Sequence, residues 1–159
     1  YGAIEHGDVD AATPLQPNTE SGFAHKTLED YLARHAKGFD IVRLSGLVGP
    51  DRHPINTLSG RTLDKGNQVT NLIYVDDIVD ALAVMIKRGP RQDHYILSSL
   101  EQPKRADYYT FCARKKGLEA PVFEGYSTEQ LPSGKRINSL KSWEKLGLTP
   151  NYASPYDMI

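Results

Sequence analysis

The stretch from Phe39 to Arg52, FDIVRLSGLVGPDR, constrains the fold more than any other part of the chain. Its first half is mainly apolar and contains the β-branched pair Ile41-Val42, which predicts a short buried strand. The segment 45–50, SGLVGP, follows, and its serine, glycines and proline do not continue a pleated ladder, so we expect a loop whose backbone approaches a ligand closely. A buried strand that ends in such a loop is typical of the ligand edge of an open α/β sheet.

Composition is that of a globular protein with one domain of ordinary size. The 159 residues carry a formal net charge of -1, with 39% hydrophobic and 25% charged residues, which indicates a normal core and no bulk attraction to nucleic acid or membrane. No apolar run approaches the roughly 20 residues that a bilayer span needs. The single cysteine, Cys112, excludes an internal disulfide framework and is compatible with a reducing, cytoplasmic location.

Helix and strand signals alternate along the rest of the chain. Residues 1–18 are predicted as loop, and residues 53–70 as an irregular connection with one short strand near Leu63. The other predicted elements are a helix from a cap at Asn18 or Thr19 to about Lys37, strands over 71–75 and 94–98, a helix from a cap at Asp76 or Asp77 to Arg88, a helix over 106–116, a short strand near Val122 and a helix over 140–146.

Two of these helices are predicted to bury an apolar stripe. The stripe of the first helix consists of Phe23, Leu28, Tyr31, Leu32 and His35, and Glu29 is among the residues expected to face water. The stripe of the helix before Gly89 consists of Ile78, Leu82, Met85 and Ile86. Strands alternating with helices of these lengths predict parallel pairing with right-handed crossovers. Parallel sheets normally have more strands than this chain offers.

Four groups of residues carry a family resemblance through their order and spacing. They are Tyr1-Gly2 with Pro14 and Pro17, the loop Arg43-x-x-Gly46-x-x-Gly49-Pro50-x-Arg52, the segment 71–78 (NLIYVDDI), and Lys135-Arg136 with Asn138, Lys141 and Leu146-Gly147. Together they resemble the second half of an extended or atypical short-chain dehydrogenase/reductase, the group that includes NAD(P)-dependent sugar epimerases and dehydratases. Within that group the likeness is greatest to the atypical YeeZ-like proteins.

The resemblance implies an α/β fold that is the C-terminal part of a doubly wound, Rossmann-type parallel sheet plus a small α/β substrate lobe. Residues 1–159 would form a single unit in which the last strands and helices of the sheet interleave with the lobe. The Gly-rich phosphate loop of the family does not occur here, and the chain starts without methionine. We therefore expect that the N-terminal half, which would bind most of an NAD or NADP cofactor, is absent, and that this part alone is inactive.

Lys26 is the candidate catalytic residue, because it stands where the family has a lysine that binds the nicotinamide ribose and favours a tyrosinate. That tyrosine would lie one helical turn earlier, where this chain has Gly22. Three interpretations stay open for Lys26: a solvated helix lysine, a ribose-binding lysine without its tyrosine, or catalysis with a displaced acid or base. Tyr1, Tyr74 and His25 are the conceivable substitutes.

The remaining site candidates follow from the same resemblance and from the chemistry of their side chains. Leu44 and Gly46 are predicted to contact the cofactor, although the family often has proline at position 44. The predicted substrate contacts are Arg52, whose planar fork can bind a phosphate or carboxylate, with Asn71, Tyr74 and Arg136. Arg43 is either a snorkelling arginine or an anion contact. Asp77 is predicted as a helix cap, Cys112 as a packed thiol, and the five histidines are too scattered for a metal site.

The first functional hypothesis is the substrate-binding part of an NAD(P)-dependent nucleotide-sugar epimerase or dehydratase, acting on an anionic small molecule. The alternative is a non-catalytic NAD(P)-binding sensor of the same fold, which Gly22 favours because the position lacks a hydroxyl group. A third is an interaction module that uses unpaired sheet edges. We also expect homodimerisation or self-association of this chain.

Overall fold

The computed structural model describes residues 6–159. Its strands are β1 (Gly7–Val9), β2 (Ile41–Leu44), β3 (Gly46–Val48), β4 (Thr62–Leu63), β5 (Leu72–Tyr74), β6 (His94–Leu97), β7 (Val122–Phe123) and β8 (Lys135–Ile137). Its helices are α1 (Glu20–His35), α2 (Ile55–Leu58), α3 (Val75–Arg88), α4 (Arg105–Lys116) and α5 (Leu140–Leu146), and a 3₁₀ turn covers Pro155–Asp157.

The strand pairs of residues 6–159 are all parallel: β1 with β8, β2 with β6, β3 with β5 and β4 with β7. In the longest pair, Ile41 lies opposite His94 and Leu44 lies opposite Leu97. Helices connect the paired strands, so the predicted α/β class with parallel pairing is confirmed.

The stretch 39–52 forms two strands where one was predicted. The ladder does not end at Ser45 but changes partner there, because Ser45 N–H donates to Leu97 O at 3.1 Å and Gly46 N–H donates to Asn71 O at 3.0 Å. A Cβ atom at position 46 would lie 3.2 Å from the same Asn71 oxygen. Glycine therefore lets β3 approach β5 closely and continue the strand, instead of ending it as predicted.

Some short strands and helices were not predicted, whereas most of the longer ones are confirmed. The prediction of loop over 1–18 was wrong at β1, which pairs with β8, a strand that was not predicted either. The four-residue helix α2 lies in the connection 53–70, and β4 confirms the short strand there. α4 and α5 end as predicted at Gly117 and Gly147, both of which have the left-handed conformation.

Helix α1 begins as predicted but buries a different face. The Thr19 side-chain oxygen accepts from Gly22 N–H at 3.1 Å, and the helix ends at His35, two residues before the predicted end. The predicted apolar stripe was wrong, because Phe23, Leu28 and Tyr31 are 55–57% exposed. Glu29 is buried instead of facing water, since it is paired with an arginine of β2.

One core cluster joins α3 and α5 to β5 and β6. Its most enclosed side chains are Ile73, Tyr95, Leu97 and Trp143, each no more than 2% exposed. α3 contributes Ile78 and Met85 as predicted, but the rest of its predicted stripe was wrong. Leu82 and Ile86 are exposed, because the buried face of α3 runs through residues 78, 81 and 85 and is narrower than the apolar pattern.

A second core cluster lies between β3, α2, α4 and the C-terminal segment. Val48, Ile55, Tyr108 and Cys112 are almost completely enclosed in it, which confirms the prediction that Cys112 is a packed thiol. Burial raises the pKa of this thiol to about 11. Within residues 6–159, no helix combines the length and apolar character needed to cross a bilayer.

Candidate functional site

The most complete candidate site is a cavity of about 420 Å³ beside the partner switch at Ser45. Gly46 of β3 and Arg52 of the following turn both line it, as does Leu72 of β5. The backbones of Gly49 and Arg52 exchange two hydrogen bonds, of 2.9 and 3.1 Å, which fix the turn that carries the arginine. Two predicted site residues are therefore brought together here; we name this the Arg52 cavity.

The Arg52 guanidinium is an exposed cation without an ion pair or side-chain hydrogen bond to any residue of 6–159. A planar guanidinium offers paired donors that match a phosphate or carboxylate. Asp51 also lines the cavity, so its rim carries one positive and one negative side chain. The rim can bind an anion through Arg52 and a hydroxyl group through Asp51.

His53 supports this turn from beneath and was missed among the scattered histidines. Its Nδ1 accepts from Ile55 N–H at 3.2 Å, which assigns the proton to Nε2, and Nε2–H then donates to the Tyr108 hydroxyl at 2.9 Å. Burial, with a smaller effect of Lys116, lowers the His53 pKa to about 4. The ring is therefore neutral near pH 7 and positions the residue next to Arg52. In the sequence, the one signal for this role of His53 is its position between Arg52 and Pro54.

Arg43 forms an ion pair with Glu29 of α1. Its Nε and Nη2 donate to the two carboxylate oxygens of Glu29 at 3.1 and 2.7 Å, and Nη1 donates to Ala11 O at 3.2 Å. Both side chains of the ion pair are 11% exposed. The guanidinium therefore ties α1 to β2, and its contact with an anionic substrate stays a prediction.

Lys26 lies on α1 and forms an ion pair with Asp30, one turn later, at 2.6 Å. This contact lowers the pKa of the Asp30 carboxyl group. One turn earlier, a Cβ atom at Gly22 would lie 3.0 Å from Thr19 Oγ1 and 3.2 Å from Pro17 Cβ. A side chain at position 22 would therefore require these neighbours to shift by a few tenths of an ångström, and the role of Lys26 stays a prediction.

The other predicted substrate contacts have partners within the protein. Asn71 braces β8: its Nδ2 donates to Lys135 O at 3.0 Å and its Oδ1 accepts from Ile137 N–H at 2.9 Å. Tyr74 stacks on Tyr152 with ring centroids 4.0 Å apart. Arg136 lies 3.8 Å from Asp8 and lines a separate cavity of about 280 Å³. Their binding of substrate stays a prediction, and the structure does not place them in the Arg52 cavity.

The remaining candidates have different outcomes. Leu44, at the end of β2, is 39% exposed, and its contact with a cofactor stays a prediction. His25 is exposed on α1. Tyr1, and with it the first part of the family motif, lies outside the described residues.

Asp77 is not the cap of α3, which was predicted, because Tyr74 occupies that position. Its carboxylate accepts from the backbone N–H groups of Asn151 and Tyr152 at 2.6 and 3.1 Å, and so anchors the C-terminal segment. Burial raises the pKa of this carboxyl group. The sequence showed a carboxylate in the first turn of a helix but not the partner segment more than 70 residues away.

Another cavity of the described region was not predicted from sequence. It has a volume of about 550 Å³ and is lined by the turn 65–68, residues 124–125 and 133–135, and Gln130. Lys135, a member of the family motif, reaches it, but the predicted substrate contacts Arg52, Asn71, Tyr74 and Arg136 do not line it. We name it the polar cavity.

The chain resembles both a curated protein and solved structures. It is 34% identical to protein YeeZ of Escherichia coli K12 over 99% of this chain and 57% of YeeZ. A conserved protein of unknown function from Silicibacter pomeroyi DSS has a TM-score of 0.80 at 25% identity, covering 96% of this chain and 57% of that one. No family model matches the chain.

A structure assigned as an NAD-dependent epimerase/dehydratase from Methylobacillus flagellatus has a TM-score of 0.75 at 22% identity, over 97% of this chain and 56% of that one. Other structures with the same fold, at 16–19% identity, contain NAD, and two of them contain UDP-glucose or UDP-glucuronic acid as well.

The parallel strands of this chain match the Rossmann-like fold of these solved structures, at TM-scores of 0.80 and 0.75 for the first two. The chain is homologous to YeeZ over almost its whole length, and YeeZ-like proteins are those that its motifs resembled. The match covers the C-terminal part of YeeZ, and the chain spans 57% of that relative's length.

Proposed function

We propose that the intact protein binds NAD or NADP and acts as an oxidoreductase of the epimerase/dehydratase type on an anionic, nucleotide-sugar-like molecule. The observation that carries this proposal is the unpaired guanidinium of Arg52, held by a tight turn over a cavity at the point where the strand ladder changes partner. Ligands of open α/β sheets bind beyond the carboxyl ends of the strands, and the turn of Arg52 follows the carboxyl end of β3. The printed NAD and UDP-sugar complexes of structures with this fold support the ligand class.

The described residues supply groups that can bind an anionic ligand, but they do not supply every group that the catalytic reaction needs. Arg52 would hold a phosphate or carboxylate group of the substrate, and Gly46 lets the backbone approach it. Lys26 would bind the nicotinamide ribose after exchange of its partner Asp30. A bound NAD would supply the hydride acceptor. Position 22 supplies no hydroxyl group for proton transfer.

A calorimetric titration of the intact protein with NAD and NADP tests the cofactor part of this proposal. We expect binding of one of them and a weakening of about tenfold in Lys26→Ala, since a charge-assisted hydrogen bond to the nicotinamide ribose is lost. Lys37→Ala, at an exposed position just beyond α1, is the matched control and should bind normally. The proposal fails if neither nucleotide binds.

A second candidate is a sensor that binds NAD(P) without turnover, and the crowding at Gly22 favours it. A Cβ atom there would lie 3.0 Å from Thr19 Oγ1 and 3.2 Å from Pro17 Cβ, so a tyrosine would require these neighbours to shift by a few tenths of an ångström. The sensor predicts cofactor binding without conversion of UDP-glucose or UDP-glucuronate, measured by chromatography of the nucleotide sugar after incubation with the protein and NAD. Turnover of either nucleotide sugar would exclude the sensor.

We further propose that the protein works in the cytoplasm and self-associates. One buried, unoxidised cysteine requires no oxidising compartment. Phe23, Leu28 and Tyr31 leave more than half of their surface exposed along α1, which is unusual for side chains of this kind unless another surface covers them. Sedimentation of the chain over a range of concentrations tests the association.

A further inference from the structure

A further cavity, about 420 Å³ in volume, lies between α4 and the segment that follows it, residues 121–128. It shares no lining residue with the Arg52 cavity or with the polar cavity. The side chains that line it include three aromatic rings, one cation and one carboxylate, which belong to Phe111, Phe123, Tyr126, Arg114 and Asp107. We name it the aromatic cavity, and no part of the proposed function uses it.

Two side chains join the two walls of this cavity. The Lys104 ammonium group, just before α4, donates to the backbone oxygen of Gln130 at 2.5 Å. The Tyr126 hydroxyl group donates to Oδ1 of Asp107, and this contact raises the pKa of the tyrosine to about 12. The hydroxyl group therefore keeps its proton near neutral pH, and the walls are held together without a ligand.

The three rings are held by their neighbours in the fold. Phe111 packs edge-to-face with Tyr156, with ring centroids 4.9 Å apart, and is nevertheless 38% exposed. Gly66 lets the turn 65–68 pack closely against the other two, because a Cβ atom there would lie 2.8 Å from Phe123 Cβ and 2.9 Å from Tyr126 Cβ. Rings in fixed positions at a cavity wall can contact the ring of a ligand by stacking or edge-to-face packing.

The two charged side chains lie at opposite ends of the cavity wall formed by α4. Asp107 and Arg114 are seven residues apart, which places them on one face of the helix about 10 Å apart along its axis. Phe111 lies between them on the same face. Arg114 is exposed and makes no ion pair or side-chain hydrogen bond with any residue of 6–159. Oδ2 of Asp107 likewise accepts no hydrogen bond from this part of the chain.

This order of groups selects the class of ligand. A guanidinium group binds a carboxylate through paired hydrogen bonds, so the anion belongs at Arg114. The rings favour an aromatic group in the middle of the ligand. A second anion at the far end would be repelled by Asp107, whereas a hydroxyl group there can donate to its Oδ2.

We infer that the aromatic cavity binds a small aryl carboxylate with a hydroxyl group at the far end of the ring. The carboxylate contacts Arg114, the ring packs against Phe111 and Phe123, and the hydroxyl group donates to Asp107. Binding requires neither a nicotinamide cofactor nor the Arg52 cavity. The inference therefore stands or falls independently of the proposed function.

Calorimetric titration of the intact protein tests this inference with four probes that differ in single groups. The full ligand is 3-(4-hydroxyphenyl)propionate, its amide lacks the charge, 3-phenylpropionate lacks the hydroxyl group, and 3-cyclohexylpropionate lacks both the hydroxyl group and the aromatic ring. We expect the hydroxyaryl acid to bind about tenfold more tightly than its amide, because a charge-assisted contact is lost. It should bind about threefold more tightly than 3-phenylpropionate, which in turn should bind more tightly than 3-cyclohexylpropionate.

Variants locate the binding in the aromatic cavity. Arg114→Gln should weaken binding of the hydroxyaryl acid about tenfold and leave the weaker binding of the amide unchanged, since only the charged contact is removed. Arg91→Gln, the same change at an exposed position outside the cavity, should leave both unchanged. Phe111→Leu should remove the preference for 3-phenylpropionate over 3-cyclohexylpropionate, because leucine keeps an apolar side chain without a ring.

Melting temperatures within about 3 °C of the parent would show that the variants keep the fold. If Phe111→Leu melts lower through its contact with Tyr156, Arg114→Gln decides, because it changes an exposed side chain. The inference is overturned if the hydroxyaryl acid does not bind, if its amide binds as tightly, or if Arg114→Gln binds the acid like the parent. Loss of binding in Arg52→Gln but not in Arg114→Gln would place the acid in the Arg52 cavity and would overturn it equally.

Discussion

Two regions near Arg52 are stabilised in opposite ways: one lies around α2 and α4, and the other lies along α1. On the side of α2 and α4, the polar groups of His53 and Tyr108 are enclosed with their partners in a complete apolar cluster. On the side of α1, the buried contact is the ion pair of Glu29 and Arg43, and apolar side chains of the helix face outward. The first side supports the turn of Arg52 by itself, whereas the second offers a surface that another molecule could cover.

His53→Ala should have the largest effect, because it leaves Tyr108 and the Ile55 N–H group without partners inside the α4 cluster. Loss of packing and of two hydrogen bonds predicts a decrease of about 3–4 kcal/mol in the free energy of unfolding, measured by urea denaturation. Tyr108→Phe, which keeps the ring and removes one hydroxyl group, should cost about 1–2 kcal/mol. If both substitutions decreased the free energy of unfolding equally and only slightly, His53 and Tyr108 would be accessible to water and the cluster would not be closed.

Acidification tests the same cluster without a mutation. The pKa of His53 is lowered to about 4 in the folded protein, from about 6.5 in the unfolded chain, so the unfolded state binds more protons between these values. The His53 contribution to stability is therefore complete above pH 6.5 and is lost as the pH falls toward 4, by about 3 kcal/mol. Urea denaturation at pH 7 and pH 4.5 should show this decrease, and His53→Gln should reduce it. A decrease of the same size in both proteins would contradict the assignment.

Asp77 anchors the C-terminal segment that closes the α4 cluster, and its variants should show an intermediate effect. Asp77→Ala leaves two backbone N–H groups without an acceptor and should cost about 2–3 kcal/mol. Asp77→Asn keeps one acceptor oxygen. It also removes a carboxylate that burial disfavours, as its raised pKa indicates, so the free energy of unfolding should decrease by only about 1 kcal/mol. Thermal or urea unfolding measures both, and an equal cost would mean that the raised pKa has no energetic consequence.

The sequence predicts well those features that depend on neighbouring residues. The parallel α/β class, the glycine ends of α4 and α5 and the exposed arginine of the 49–52 turn all follow from local composition. What it missed depends on residues far apart in the chain. β8 has no apolar alternation and is held by Asn71, 64 residues earlier. Glu29 is buried only because Arg43 lies opposite, and His53 acquires its role through Tyr108, 55 residues later.

The ion pair of α1 should contribute less than the α4 cluster. Glu29→Gln removes one carboxylate that pairs with the largely buried Arg43, and it should lower the free energy of unfolding by about 2 kcal/mol, less than the loss of His53. The paired change Glu29→Leu with Arg43→Met, which removes both charges, should be close to neutral. A double-mutant cycle by urea denaturation gives both values. If the paired change costs more than Glu29→Gln, the ion pair is a main support of α1 and the comparison fails.

The exposed face of α1 should show the smallest effect on folding and the clearest effect on association. Leu28→Glu changes a side chain that is 56% exposed, so the free energy of unfolding should change by less than about 0.5 kcal/mol. Self-association measured by sedimentation should decrease, because a charge would enter an apolar contact. Val79→Glu, an exposed apolar position on α3, is the matched control. If both variants and the parent self-associated equally, the exposed face of α1 would not be the surface through which the chain associates.

The central claim is that Arg52, held over its cavity by the turn above His53, binds the anionic group of the substrate. A crystal structure of the intact protein with NAD and UDP-glucose tests this most directly. We predict the UDP-glucose diphosphate within hydrogen-bonding distance of the Arg52 guanidinium. A nucleotide sugar bound elsewhere, with the Arg52 cavity holding only solvent, would contradict the account.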